Sequence, residues 1–230
     1  MEKKTYKDLQ EIKCCLEERL SGEQAVAFFE NNYTEIKYTI VGYKFLKEIY
    51  NMPTTHRIAE DYYFKRIFES FYALLKQYLG DYPNRLYNKM DDIRDKGIGK
   101  LTPQEVSNMA NTLSGNDGFQ FSFTTKMLNL EDDEYYPIYD RMVALVFGFP
   151  INCLGYKKYK ENSEKEKLYA EWYDHIKNVY EKLENEPVVI DIVNKFKTIF
   201  DCDLHYMRII DIIFWQLGKA IDKKRYPFDN

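Results

Sequence analysis

Apolar residues recur with a helical period along almost the whole chain. The plainest stripe runs from Thr54 to Leu79. There Phe64, Ile67, Phe68, Phe71, Leu75, Tyr78 and Leu79 share one face, opened by Thr54 as N-cap and closed by Gly80. A second stripe runs from Ser163 to Leu183. Leu168, Tyr169, Trp172, Ile176, Val179, Tyr180 and Leu183 point inward, while Glu164, Lys165, Glu171, Asp174, Lys177 and Glu181 form a solvated face. The same period predicts helices over Tyr6–Leu20, Glu23–Glu30, Tyr33–Tyr50, Asn84–Asp95, Pro103–Leu113, Phe119–Leu130, Ile138–Phe147, Val188–Phe200 and Leu204–Ile221. The last of these carries Ile209, Ile210, Ile212, Ile213, Phe214 and Trp215, apolar on nearly every face, and belongs in the centre of a bundle. Alternating strand patterns with hairpin signals are scarce, so the expected fold is all-α.

Composition narrows the class. A chain of 230 residues allows one large helical domain or two intimate lobes. The lobes expected are residues 1–83 with 155–230, and residues 84–154. Hydrophobic residues at 45% and charged residues at 30% argue against disorder. No apolar run approaches the roughly 18 residues that read as a membrane span. Met1-Glu2-Lys3-Lys4 leads into an amphipathic segment without the apolar core of a secretory signal. Cys14, Cys15, Cys153 and Cys202 form neither a disulfide framework nor a metal-ligand spacing, so reduced thiols in a cytoplasmic protein are expected. A net charge of -4 excludes a uniformly basic surface but not a local basic patch. The 21 Tyr and 15 Phe invite a base-stacking reading, yet their helical spacing assigns most of them to the core.

Several chemistries find no support. The chain has no phosphate-binding Gly-x-x-x-x-Gly-Lys-Ser/Thr loop and no Gly-x-Ser-x-Gly elbow. His56, His175 and His205 lack zinc spacing, and Cys202 with His205 is not a metal site by itself. No metal and no cofactor is expected.

One compositional break remains. Gly97, Gly99, Gly115 and Gly118 cluster between helices. In the run Leu113-Ser114-Gly115-Asn116-Asp117-Gly118-Phe119-Gln120, one helix ends, a glycine turn follows and another helix begins. Backbone N–H groups at such a helix start can hold an anion without net positive charge. The same glycines also serve as ordinary helix stops. An earlier turn, Asp95-Lys96-Gly97-Ile98-Gly99-Lys100-Leu101, is closer to a generic phosphate-gripping hairpin. Lys96, Lys100 and Arg94 would be its phosphate contacts. It precedes Thr102-Pro103-Gln104-Glu105, a helix start with Thr as N-cap, Pro first and Glu third.

Helix, glycine turn, helix, and then Tyr136-Pro137-Ile138-Tyr139-Asp140 with Val143 after it resembles part of the base-excision DNA glycosylases of the endonuclease III type. The likeness covers about 30 residues. It is to their helix-hairpin-helix and catalytic-aspartate region. The resemblance implies that Gly115 and Gly118 grip DNA phosphates and that Asp140 supports attack at the C1′ of a flipped nucleotide. Gln120 stands where bifunctional relatives carry the Schiff-base lysine, so a monofunctional enzyme or an inactive relative is implied. The hairpin is one residue longer than the family's, and the cysteine cluster of many relatives is absent. Lys126, between the two motifs, reads as a phosphate contact or as a solvated helix lysine. Arg141 reads as a phosphate contact or as a partner for the acids at Glu131 to Glu134. The expected partner is therefore double-stranded DNA. The alternative is a non-enzymatic protein-interaction or regulatory protein in which the glycines are only turns. An enzyme for a small phosphorylated molecule is a third reading.

Overall fold

A computed structural model describes residues 6–53, 55–73, 80–115, 118–150 and 162–225. Among them the fold is all-α, with helices and no strand. The helices are α1 (Leu9–Leu20), α2 (Glu23–Asn31), α3 (Tyr33–Tyr50), α4 (Tyr62–Phe71), α5 (Tyr82–Lys96), α6 (Pro103–Ser114), α7 (Phe121–Glu131), α8 (Arg141–Phe147), α9 (Asn162–Leu183), α10 (Pro187–Phe200) and α11 (Tyr206–Arg225). They divide into two packed units, Met1–Lys37 with Pro137–Lys158 and Trp172–Asn230, and Tyr38–Tyr136 with Tyr159–Glu171. The chain passes between the units inside α3 and inside α9. These units cut across the lobes expected from sequence: Asp140 belongs to the first unit, whereas the glycine turns belong to the second. The reason is that α8 packs most extensively on α11.

In the first unit, α11 is the central helix its composition predicts. Ile209, Ile210, Ile212, Ile213, Phe214 and Leu217 are all buried. Gly218 lets α8 approach α11 to backbone contact, since a Cβ there would sit 2.2 Å from the Met142 carbonyl oxygen. An aromatic cluster of Tyr6, Phe147, Phe149, Trp172 and His175 closes the other end of α8. Lys7 joins this end by donating its N–H to the Phe147 carbonyl (2.8 Å).

In the second unit, α7 packs against α5 and α6. Phe121 and every residue from Thr124 to Leu130 are buried, so α7 is a core helix rather than a surface one. The start of α6 is the one predicted: Thr102 and Glu105 form a reciprocal capping box, with Pro103 in the first turn.

Helix starts expected at Tyr6, Thr54, Asn84, Phe119, Ile138 and Leu204 all fall two or more residues from the observed ones. The helix expected from Thr54 begins at Tyr62, because Asp91 of α5 captures the N–H groups of Ile58 and Ala59 (2.8 and 2.9 Å) and keeps that backbone out of a helix. Asp61 is then the N-cap, accepting from Phe64 N (2.9 Å). Thr54, Leu75, Tyr78 and Leu79 lie outside the described residues. The helix expected from Phe119 begins at Phe121. The helix expected from Ile138 begins at Arg141, because Asp140 is extended and caps the helix there, while the Ile138 N–H is taken by Asp211 of α11.

Candidate functional site

The second unit contains both glycine turns. In the first, Gly97 and Gly99 link α5 to α6 with φ of 70° and 64°, and a Cβ on either would meet nothing within 4 Å. Backbone conformation, not crowding, requires glycine there, and the turn faces open space. Its inner side is pinned by Tyr136. That hydroxyl accepts from Leu101 N (2.9 Å) and donates to the Gly99 carbonyl (2.7 Å), while burial pushes its pKa up to about 12. Lys96 and Lys100 flank the turn, both exposed. Lys96 reaches Asp92 one turn back (3.3 Å), and the Lys100 ammonium lies over the Tyr135 ring (4.9 Å). Arg94 is not part of this outward group. Its side chain is only 7% exposed, pairs with Asp91 (3.0 Å) and donates to the His56 carbonyl.

The second turn follows α6. Gly115 (φ 53°) stops that helix, and Arg85 covers the stop by donating from Nε to the Leu113 carbonyl (2.6 Å) and from Nη2 to the Ser114 carbonyl (2.8 Å). Gly118 also has positive φ, 79°. Asn116 and Asp117, the expected hairpin residues between them, lie outside the described residues. Gln120 is the N-cap of α7 but provides no side-chain cap. Its N–H donates to Ser114 Oγ (2.8 Å), and its carbonyl accepts from the buried Tyr82 hydroxyl (3.3 Å).

Lys126 fits neither reading made from the sequence. It is buried at 8% exposure, with its ammonium 5.2 Å from the Tyr72 ring centre and 5.0 Å from that of Phe123. A lysine so enclosed is neither a solvated helix residue nor an outward phosphate contact.

Asp140 and Arg141 lie in the first unit. Asp140 is the N-cap of α8, and its Oδ1 accepts from both Met142 N (2.9 Å) and Val143 N (3.0 Å). Both cap bonds fall on one oxygen, and Oδ2 takes neither. Arg141 pairs with Asp222 of α11 (2.7 Å) rather than with the acids at 131–134.

Behind Asp140 lies a buried group that the sequence reading did not single out. Asp211 accepts from Ile138 N (3.1 and 3.2 Å to its two oxygens) and from the Tyr180 hydroxyl (3.0 Å). Arg208 stands 3.9 Å away. Desolvation is the dominant influence and pushes the Asp211 carboxyl up to about 7, against the opposing pull of Arg208 and the two hydrogen-bond donors. The nearby Asp140 carboxylate adds to the upward push. The clue was a single acid amid Ile209, Ile210, Ile212 and Ile213.

Among the described residues, no group of three or more His, Cys, Asp or Glu is placed to hold a metal ion. No described helix is long and apolar enough to cross a membrane. Comparison with protein families, with curated proteins and with solved structures finds no match.

Proposed function

We propose that the chain is a helical DNA-binding protein of the helix-hairpin-helix kind, related in design to the monofunctional base-excision glycosylases. The observation that carries this reading is the open turn between α5 and α6. Two positive-φ glycines, each with free space beside it, lie between exposed Lys96 and Lys100. A backbone turn of this kind accommodates a phosphate closely, and the lysines add sequence-independent attraction. Gly115 and Gly118 also take positive φ, and Gln120 gives the start of α7 no side-chain cap, though Arg85 Nη2 would stand 3.4 Å from a Cβ on Gly115. In this reading Asp140 is the acting carboxylate. It either stabilises positive charge at C1′ of an extruded nucleotide or takes a proton from the attacking water; the water oxygen bonds to C1′ as the N-glycosidic bond breaks, and the base leaves with that bond's electron pair and takes up a proton from solvent. Gln120 cannot form an imine, so the strand is not cut.

The test is binding to a duplex carrying an abasic-site analogue at two salt concentrations. The wild type should bind more weakly at high salt. Replacing both lysines (Lys96→Ala with Lys100→Ala) should reduce the slope of log K against log salt by about 2, near 0.9 per lost phosphate contact. Gly118→Asp should abolish binding. Absence of any binding at low salt would end this reading.

A second reading is favoured by one observation. Tyr38, Val41 and Phe45 form a stripe along α3 and are 74%, 55% and 43% exposed. Contiguous exposed apolar side chains commonly mark a protein-binding surface. A regulatory protein that binds another protein through α3 would show no salt-dependent DNA affinity.

A further inference from the structure

We infer that Asp211 is a positioning residue for Asp140, holding its carboxylate in place through the backbone of Pro137–Asp140. This rests on the reading of Asp140 as the acting carboxylate for its functional meaning, but not for its geometry. Residues 137–140 are the last of the irregular chain before α8, and two of their backbone groups are gripped from two helices. Tyr173 of α9 donates its hydroxyl to the Pro137 carbonyl (2.9 Å). Asp211 of α11 takes the Ile138 N–H on both oxygens. Tyr180, also on α9, donates to the same carboxylate and thereby links the two clamps. Ile138 and Tyr139 are buried between these bonds. Asp140 then caps α8, whose first turn is pressed on α11 at Gly218.

The position of the Asp140 carboxylate is thus over-determined from behind by groups that are themselves buried. Asp211 is 3% exposed and cannot meet a macromolecular substrate directly. Its role is exerted through the Ile138 amide, two residues from Asp140. The charged and titratable groups around it are Arg208 on its own helix, Tyr180 on α9 and Asp140 at the head of α8. A change of charge on Asp211 alters the acceptor of the Ile138 amide, and the segment transmits that change to the cap.

The experiment is a pH titration of backbone amide shifts by NMR on the full chain, in wild type, Asp211→Asn and Tyr180→Phe, without DNA. In the wild type, the Ile138 amide and the cap amides of Met142 and Val143 should share a transition near neutral pH. Asp211→Asn should lose that transition at all three positions while amides of α10 keep their shifts. Tyr180→Phe should move the midpoint upward at all three, because a hydrogen bond to the ionised form is removed. A structural filler at position 211 would give the cap amides no shared transition. Cap amides that show no step in the wild type, or an unchanged step in folded Asp211→Asn, overturn the inference. If Asp211→Asn does not fold, Tyr180→Phe decides: an unmoved midpoint overturns it. Failure of DNA binding would leave this result untouched, so the two proposals fail separately.

Discussion

Asp91 and Asp211 do the same mechanical work in different units. Each is a buried helical carboxylate that captures the backbone of a neighbouring irregular segment, residues 58–59 for Asp91 and residue 138 for Asp211. Their surroundings differ. Asp91 accepts two amides and is met by Arg94 at 3.0 Å and Arg57 at 3.4 Å. Asp211 has one amide, one phenol and a single guanidinium 3.9 Å away. The first is compensated by charge at contact distance. The second is surrounded mainly by apolar helix, and burial dominates its protonation. One anchor has two guanidinium groups at contact distance, while burial pushes the carboxyl of the other upward.

The largest expected effect comes from breaking the better-compensated anchor. Asp91→Ala removes the nearest carboxylate from the buried Arg94 guanidinium, which keeps the His56 carbonyl and Asp95 (3.8 Å), and frees the amides of Ile58 and Ala59. A loss of about 3–5 kcal/mol is expected, measured by urea unfolding. The next effect sharpens the contrast through pH. The folded-state value for Asp211 is raised, so unfolded chains ionise this group while folded chains keep it protonated. Its favourable contribution is therefore fully present below the ordinary carboxylate range and is lost as pH rises toward about 7. Between pH 4 and 8 the wild type should lose on the order of 4 kcal/mol relative to Asp211→Asn, measured as the difference between the two stability–pH curves. Curves that run parallel would contradict the assignment. The smallest effect tests the outer member of the Asp91 group. Arg57 is 44% exposed at its side chain, so Arg57→Ala should cost less than about 1 kcal/mol, by the same unfolding measurement.

The helices were legible in the periodic pattern because burial of one face requires it, and α11 was legible as central because its stretch from Ile209 to Leu217 is apolar on nearly every face. What escaped the pattern depends on partners far along the chain. The periodic stripe before Tyr62 looks helical until Asp91 withdraws two amides from it, and Ile138 looks like a first turn although the extended Asp140 sets the start of α8 and Asp211 holds the Ile138 amide. The capping box at Thr102 is local, and it was readable. Of the candidate site, the positive-φ glycines were readable because glycine has few other uses between helices. The burial of Lys126 was not, since a lone lysine on a helix ordinarily faces water. Its neighbours Thr124, Thr125, Met127, Leu128, Asn129 and Leu130, all uncharged, were the available hint. Arg141 was read as a phosphate contact or as a partner for nearby acids, whereas its partner Asp222 is reached only through the packing of α11.

The contact between Met142 and Gly218 also has a meaning in time. The ribosome delivers α8 well before α11, yet Ile138 finds its acceptor on Asp211 and Met142 finds its neighbour at Gly218. During synthesis the segment around Asp140 therefore has neither its clamp nor its packing surface until the α11 sequence has emerged. The glycine turn between α5 and α6 has its nearest anchor, Tyr136, much sooner. A nascent chain stalled between these two points would carry a formed turn and an unplaced carboxylate.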